Sequence, residues 1–373
     1  MVAERGRCRE YGIVIGRHEP GVLNAITDVA GVRVGHKTVV REGDERGAGA
    51  VRTGVTAVWP HAGPIWRERV FVGTSIVNGW GELIGINQLN EWGILHSPIV
   101  LTSSLSIGAA YDAAARWIAS IDSAQGRSEL IMPVVTECND GFLSDARVFP
   151  VCGADVVEAL ESAHEGQVEE GCVGAGTGTM CFEFKGGIGT ASRKLSHAQV
   201  GYTVGVLVQT NFGHRRDLLI CGVPVGREIN DFMPVRQPDG SCVVVIATDA
   251  PLLPHQLRRV AARGGLALAR CGSIGEDASG ELIIAFSTAQ VLPSRTPDST
   301  VGLRALLDGA DEGYLTPINL IFTATMEAVE EAVLNAMFAA TTTVGRDGHV
   351  LHALPIVRTL EILSRHSCLE GPR

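Results

Sequence analysis

The stretch DGSCVVVIATDAP, residues 239–251, decides how this chain folds. Its middle, Cys242 to Ala247, is apolar without interruption, the pattern of a strand buried on both faces. Asp239-Gly240 ahead of it is a turn signal. Behind it, Asp249-Ala250-Pro251 predicts the cap of a helix that runs to about Arg270. The preceding residues, REINDFMPVRQPDG (227–240), are polar, hold two prolines and form the only linker-like stretch of the chain. At Gly240-Ser241, therefore, a polar linker ends and a buried strand opens.

Outward from this point, Gly12–Ile15, Val55–Trp59, Val70–Val77, Pro98–Leu101, Val200–Gln209 and Leu282–Phe286 read as further buried strands. Helical spacing appears in Ser106–Ile121, with Ile107, Ala110, Ala114 and Ile118 on one face, and in Ala154–Ala163. Met326–Thr341 is a third helix, with Met326, Val329, Val333 and Met337 in line. Strands and helices alternate, but the helices come in blocks. That pattern belongs to an α/β chain whose sheet and helix layers share one domain, residues 1–373.

Composition narrows the function. Of 373 residues, 45% are hydrophobic and 19% charged, a globular balance that supports a sizeable core. The net charge of −10 argues against nucleic acid, whose phosphates are bound by clustered Lys and Arg. The densest basic stretches, Arg258-Arg259 with Arg263 and His214-Arg215-Arg216, are short and read as solvated faces or anion contacts. No apolar run of signal-peptide or membrane-spanning length occurs. The nine cysteines are scattered without a C-x-x-C pair, which fits a reduced, cytoplasmic setting.

Several motifs are excluded on chemistry. GCVGAGTGTMCFEFKGGIGTASR (171–193) invites a phosphate-loop reading, but Lys185 is followed by Gly186-Gly187 rather than Ser or Thr. A dinucleotide fingerprint would need strand, glycines and helix in order. Tight turns with close backbone packing are the better reading. His61, His96, His197, His214 and His255 stand alone, so no metal is expected. No G-x-S-x-G elbow is present.

Gly240-Ser241, taken alone, is only a turn entering a sheet. Its setting adds a second reading. A Ser released as a new N-terminus there would sit rigidly at a strand end. Its own α-amine, with an unperturbed pKa of ~7.7–8.0, could serve as base for its hydroxyl. Gly240 lacks the Cβ that would obstruct attack on its carbonyl.

The chain resembles the beta-aminopeptidase family, also called L-aminopeptidase/D-esterase, over nearly its whole length. The resemblance rests on NAITDVAGVRVGH (24–36), RTGVTAVWPH (52–61), ECNDGFLSD (137–145), GAGTGTMCFEFKGGIGTASR (174–193), QTNFG (209–213) and DGSCVVVIATDAPLLPHQLRRVAARGGLALARCG (239–272). It implies an αββα sandwich similar to N-terminal-nucleophile hydrolases. It also implies a precursor that cuts itself between Gly240 and Ser241 into residues 1–240 and 241–373, which stay together. Ser241 becomes the nucleophile. Asn211 helps form the oxyanion hole. Ser279 and Glu281 orient the nucleophile and move protons, and Glu137 holds the substrate's ammonium group. On the residues alone, Asn211 is a strand-end turn residue, Ser279-Gly280-Glu281 a polar turn and Glu137 a turn acid. Some members carry an aromatic residue two positions after this glutamate, where this chain has Asn139, which leaves the shape of the first side-chain pocket open.

The implied activity is release of N-terminal residues from small peptides, amides or esters with a free amino terminus. No cofactor, metal, nucleic acid or membrane is implied, and the processed heterodimers are expected to form a homo-oligomer. Two other readings stay open. One is an acyltransferase on a similar self-cleaving scaffold, like the ornithine acetyltransferases, which use Thr where this chain has Ser241. The other is a small-molecule binding protein without catalysis, which would leave the chain uncut.

Overall fold

The apolar run after Gly240 is a strand, Ser241–Thr248, buried along its whole length. It is strand β12 of the computed structural model, which describes residues 5–45, 47–196, 200–235, 240–309 and 316–369. Arg236–Asp239 of the linker, His197 and Glu4 lie outside the described residues.

One sheet runs in the order β10 (Ile188–Lys194), β11 (Thr203–Asn211), β12, β13 (Gly280–Pro293), β3 (Glu68–Gly79) and β5 (Ile94–Leu95). Only β12 and β13 are parallel neighbours in it. The other sheet runs β1 (Arg33–Arg41), β2 (Val51–Trp59), β6 (Ile99–Ser103), β7 (Val134–Cys138) and β4 (Leu83–Ile84). Two short hairpins join β8 (Met180–Cys181) to β9 (Phe184–Lys185) and β14 (Thr343–Val344) to β15 (Val350–Leu351). The helices are α1 (Ile86–Trp92), α2 (Ile107–Ile121), α3 (Gly153–Glu161), α4 (Val225–Glu228), α5 (Pro254–Arg270), α6 (Pro317–Ala339) and α7 (Ile356–Arg365).

Side-chain alternation along β12 shows why it needs cover on both faces. Val243, Val245 and Ala247 join Leu207, Ile284, Val58, Leu101 and Val134 between the two sheets. Cys242, Val244 and Ile246 face the other way, toward Val260 and Leu268 of α5 and Val329 and Val333 of α6. On the outer face of the second sheet, Val55, Val100 and Val135 pack on Ala110 and Ala114 of α2 and Val156 and Leu160 of α3. The layers are helix, sheet, sheet, helix, the αββα sandwich expected. Each buried valine contributes roughly 1.5–3 kcal/mol, so β12 is a firm seat for whatever its first residue carries. Close layer contact also explains a glycine: a Cβ on Gly189 of β10 would fall 1.9 Å from the Ala332 carbonyl of α6.

Three local expectations differ from the structure. Gly12–Ile15 is not in a strand, although Ile13 and Ile15 are buried. Apolar burial alone attracted the strand reading, and these side chains are covered without ladder pairing. Asp249 does not cap α5. Its Oδ1 accepts from the Thr203 N–H at 2.7 Å, and Leu253 is the N-cap with Pro254 in the first turn. Helix α6 begins at Pro317 rather than Met326, capped by the Thr316 hydroxyl. Its opening turns are buried at Ile318 and at Leu320 to Phe322, an apolar run in which Asn319 and Thr323 alone mark the outer face. Among the described residues no helix is long and apolar enough to cross a membrane.

Candidate active site

Ladder register brings Ser241 and Asn211 together. Strand β11 ends at Asn211 and β12 begins at Ser241, and the antiparallel pairing sets the two opposite each other. Asn211 Nδ2 donates to Ser241 Oγ at 3.3 Å, with both residues buried. The other end of the amide is engaged as well: Asn211 Oδ1 accepts from the Met180 N–H of β8 at 3.2 Å. A backbone N–H can only donate, so this contact turns the amide's donor end toward the serine.

On the opposite flank of β12, the parallel register sets Cys242 beside Glu281. Ser279 and Glu281 are two apart and share a side, as extended backbone requires, and Ser279 Oγ donates to Glu281 Oε1. Glu281 Oε2 is buried with no hydrogen-bond partner among the described residues. Burial pushes this carboxyl above the usual range, opposed by the Ser279 hydrogen bond. The turn that delivers the pair is tied down by Asn78 of β3. Its amide donates to the carbonyls of Glu276, of Ser279 at 2.6 Å and of Asp277 at 3.2 Å. Gly240 approaches from the other side, where a Cβ would meet Ser279 Oγ at 2.8 Å.

Glu137 sits near the end of β7, opposite Thr102 of β6. Its carboxylate accepts from the Glu82 N–H at 3.0 Å and from the Ser104 hydroxyl. Burial raises its pKa, and both hydrogen bonds pull it back down. Strand alternation points Glu137 away from the inter-sheet space that its neighbour Cys138 enters. The carboxylate nonetheless lies beside the Ser279–Glu281 segment. A Cβ on Gly81 would be 3.3 Å from Glu137 Oε1 and 3.7 Å from Gly280 Cα, so this one residue separates the two groups. Cys138 supplies a second link: its thiol donates to the Gln209 carbonyl at 3.6 Å and lies close to Ser241.

Ser241, Asn211, Ser279, Glu281 and Gly240 thus gather at the start of β12, with Glu137 alongside. Asn139 stays apart: it is exposed, and its Oδ1 accepts from the Gly141 N–H at 2.8 Å in a turn of its own. Sequence reasoning missed the Met180 N–H, the Glu82 N–H, Ser104, Asn78 and Cys138. Two of these groups are backbone amides, which no side-chain motif encodes. Ser104, Asn78 and Cys138 become relevant only through tertiary contact.

The chain matches the family model "Peptidase family S58" over residues 24–351. It is 39% identical to the beta-peptidyl aminopeptidase BapA of Sphingosinicella microcystinivorans, with all of this chain and 95% of that protein covered. Among solved structures, a Burkholderia sp. beta-aminopeptidase superposes with a TM-score of 0.89 at 41% identity, covering 99% of this chain and 100% of that one. The L-aminopeptidase D-Ala-esterase/amidase of Ochrobactrum anthropi, described as a prototype for the serine aminopeptidases and a new variant of the Ntn hydrolase fold, gives 0.90 at 38% identity. That alignment covers 98% of this chain and 99% of that one. Sequence and architecture agree over almost the full length, and the chain belongs to peptidase family S58 as a serine aminopeptidase hydrolase of the N-terminal-nucleophile type.

Proposed function

We propose that Ser241 is the nucleophile and that it is freed by cleavage of the Gly240–Ser241 bond. Ser241 Oγ attacks the Gly240 carbonyl, the peptide nitrogen leaves as the α-amine of Ser241, and water hydrolyses the resulting ester. In the processed enzyme that α-amine, with an unperturbed pKa of ~7.7–8.0, takes the hydroxyl proton as Ser241 attacks a substrate carbonyl. Asn211 Nδ2 stabilises the tetrahedral oxyanion. The proton passes to the leaving amine or alcohol, and water then clears the acyl-enzyme. Ser279 and Glu281 orient the new amine, and Glu281 Oε2, without a hydrogen-bond partner among the described residues, supplies an acceptor close by.

Glu137 binds the substrate's ammonium in this reading. The names of the relatives span β-peptidyl and L-aminopeptidase D-Ala-esterase/amidase activities. Such substrates share a free amine near the scissile carbonyl. The pieces 1–240 and 241–373 remain one folded unit because β11 and β12, adjacent across the cut, share a full ladder. The resemblance carries a homo-oligomer of these units, and nine free cysteines suit a reducing cytoplasm.

The observation that carries the assignment is the Asn211 amide aimed at the Ser241 hydroxyl. Its test is the mass of the 241–373 fragment during turnover of an amino-acid ester. An increment equal to the acyl group on that fragment supports it. An acyl group found on residues 1–240 instead would move the nucleophile elsewhere.

A further inference from the structure

Lys185 is fully buried, a position where lysine is costly and an aliphatic residue would serve packing better. All three donors of its ammonium are used. Nζ donates to the carbonyls of Gly186 at 2.7 Å, Thr179 at 2.8 Å and Gly176 at 3.1 Å. Gly176 and Thr179 lie just ahead of β8 and Gly186 just after β9, so the ammonium ties together the two ends of the hairpin. Burial lowers the lysine's pKa, and the neighbouring Cys172 and Asp140 act in the opposite direction.

The hairpin so clasped is under strain. Its turn residues Phe182 and Glu183 have φ of 51° and 59°, a region that disfavours bulky side chains. Surrounding contacts hold it in place: the Phe182 N–H donates to the Phe212 carbonyl at 2.7 Å, and Glu183 Oε2 accepts from the Arg215 N–H at 2.8 Å. In the hairpin ladder, Lys185 is the partner of Met180. Met180 in turn gives its N–H to Asn211 Oδ1. Strain kept in place beside a reacting group is reason to look for a role.

We infer that Lys185 is a positioning residue: its ammonium gathers the hairpin so that the Met180 N–H holds the Asn211 amide with its donor end toward Ser241. The inference rests on the assignment of Ser241 and Asn211 above. Without the clasp the Met180 N–H withdraws, the amide can rotate, and its oxygen rather than its nitrogen faces the developing oxyanion.

Lys185→Met keeps the length and apolar stem and removes the donors. On an amide substrate with a free amine, kcat per processed chain falls about 10- to 100-fold, approaching loss of one oxyanion donor, while KM changes by less than about threefold. A crystal structure of the variant shows the Met180–Asn211 hydrogen bond broken. Unchanged kcat, or reduced kcat with that hydrogen bond intact, overturns the inference. If K185M does not fold, Lys185→Gln replaces it, and failure of both to fold assigns the lysine a structural role only. Asn211→Ala is assayed in parallel. Full activity in N211A sinks the site assignment itself, whereas activity lost in N211A but kept in K185M sinks only the role of Lys185.

Discussion

The Ser279 hydroxyl stands where a side chain at position 240 would begin. A Cβ built on Gly240 falls 2.8 Å from Ser279 Oγ and 3.1 Å from Ser279 Cβ. The glycine before the proposed cut thus has a local steric reason besides turn chemistry. Gly240→Ala must push Ser279 Oγ off its hydrogen bond to Glu281. Self-cleavage of the variant then slows by about tenfold or more, in the range of a misplaced proton-transfer group, with its melting temperature little changed. A time course of fragment formation on a denaturing gel measures this, and a parental rate would separate Ser279 from the cleavage step.

Glu281→Gln keeps the shape of the buried side chain and removes its charge. Loss of a general acid–base group lowers kcat by about 10²–10⁴-fold, and the variant stays folded because a neutral amide is cheaper to bury. The Glu281 carboxyl is raised by burial, so the parent's kcat falls on the acid side at a pH above the ordinary glutamate range. In E281Q the contribution of Glu281 to this acid limb is lost, and only the limb set by the Ser241 α-amine remains in the pH–rate profile. Near-parental turnover would return Ser279 and Glu281 to the role of a polar turn.

Glu137→Gln tests recognition of the amine. The parent prefers a free-amine amide over its N-acetylated form, since a buried carboxylate left unpaired is costly. The mutant loses most of that preference. Burial raises the Glu137 pKa, and an ammonium partner stabilises its ionised form. KM for the free-amine substrate therefore rises as pH falls through the raised value. Equal parental rates on the two substrates would contradict ammonium recognition by this carboxylate.

The readable parts of the sequence were those in which side-chain pattern decides structure. Cys242–Ala247 could be read as a strand covered on both faces because every residue is apolar, and all of them are buried. The pairing of Ser279 with Glu281 came from the family resemblance, since on the residues alone the segment reads as a polar turn. Other features depend on backbone groups brought from elsewhere. The orientation of Asn211 is set by the Met180 N–H, thirty-one residues earlier in the chain, and that of Glu137 by the Glu82 N–H. Gly12–Ile15 misled because apolar residues can be buried without a ladder partner. The opening of α6 stayed hidden because Ile318 and Leu320 to Phe322 form a nearly continuous apolar run, broken only by Asn319.

Asp140 gives a separate reading of the site's interior. Its Oδ2 is buried with no hydrogen-bond partner among the described residues, and burial pushes its carboxyl up to about 7, opposed by Thr53 and assisted by the neighbouring Glu137 charge. In the unfolded chain the same group ionises near 4. Between those values the unfolded state releases its proton first, so this residue's contribution to stability declines as pH rises and levels off above about 7. Asp140→Asn removes the dependence. The stability of D140N relative to the parent therefore grows between about pH 4 and 7, by an amount on the order of a few kcal/mol at most. Denaturant unfolding of both proteins across that window measures it, and a pH-independent difference would mean that Asp140 ionises normally in the fold.

The mass of the purified protein under denaturing conditions, parent beside Ser241→Ala, tests the central claim most directly. The parent yields two polypeptides, residues 1–240 and a fragment that begins at Ser241. The variant lacks the hydroxyl that attacks Gly240 and yields one chain of 373 residues, about 39.4 kDa. If S241A gives the same two fragments as the parent, an outside protease makes the cut and Ser241 is not the self-processing nucleophile.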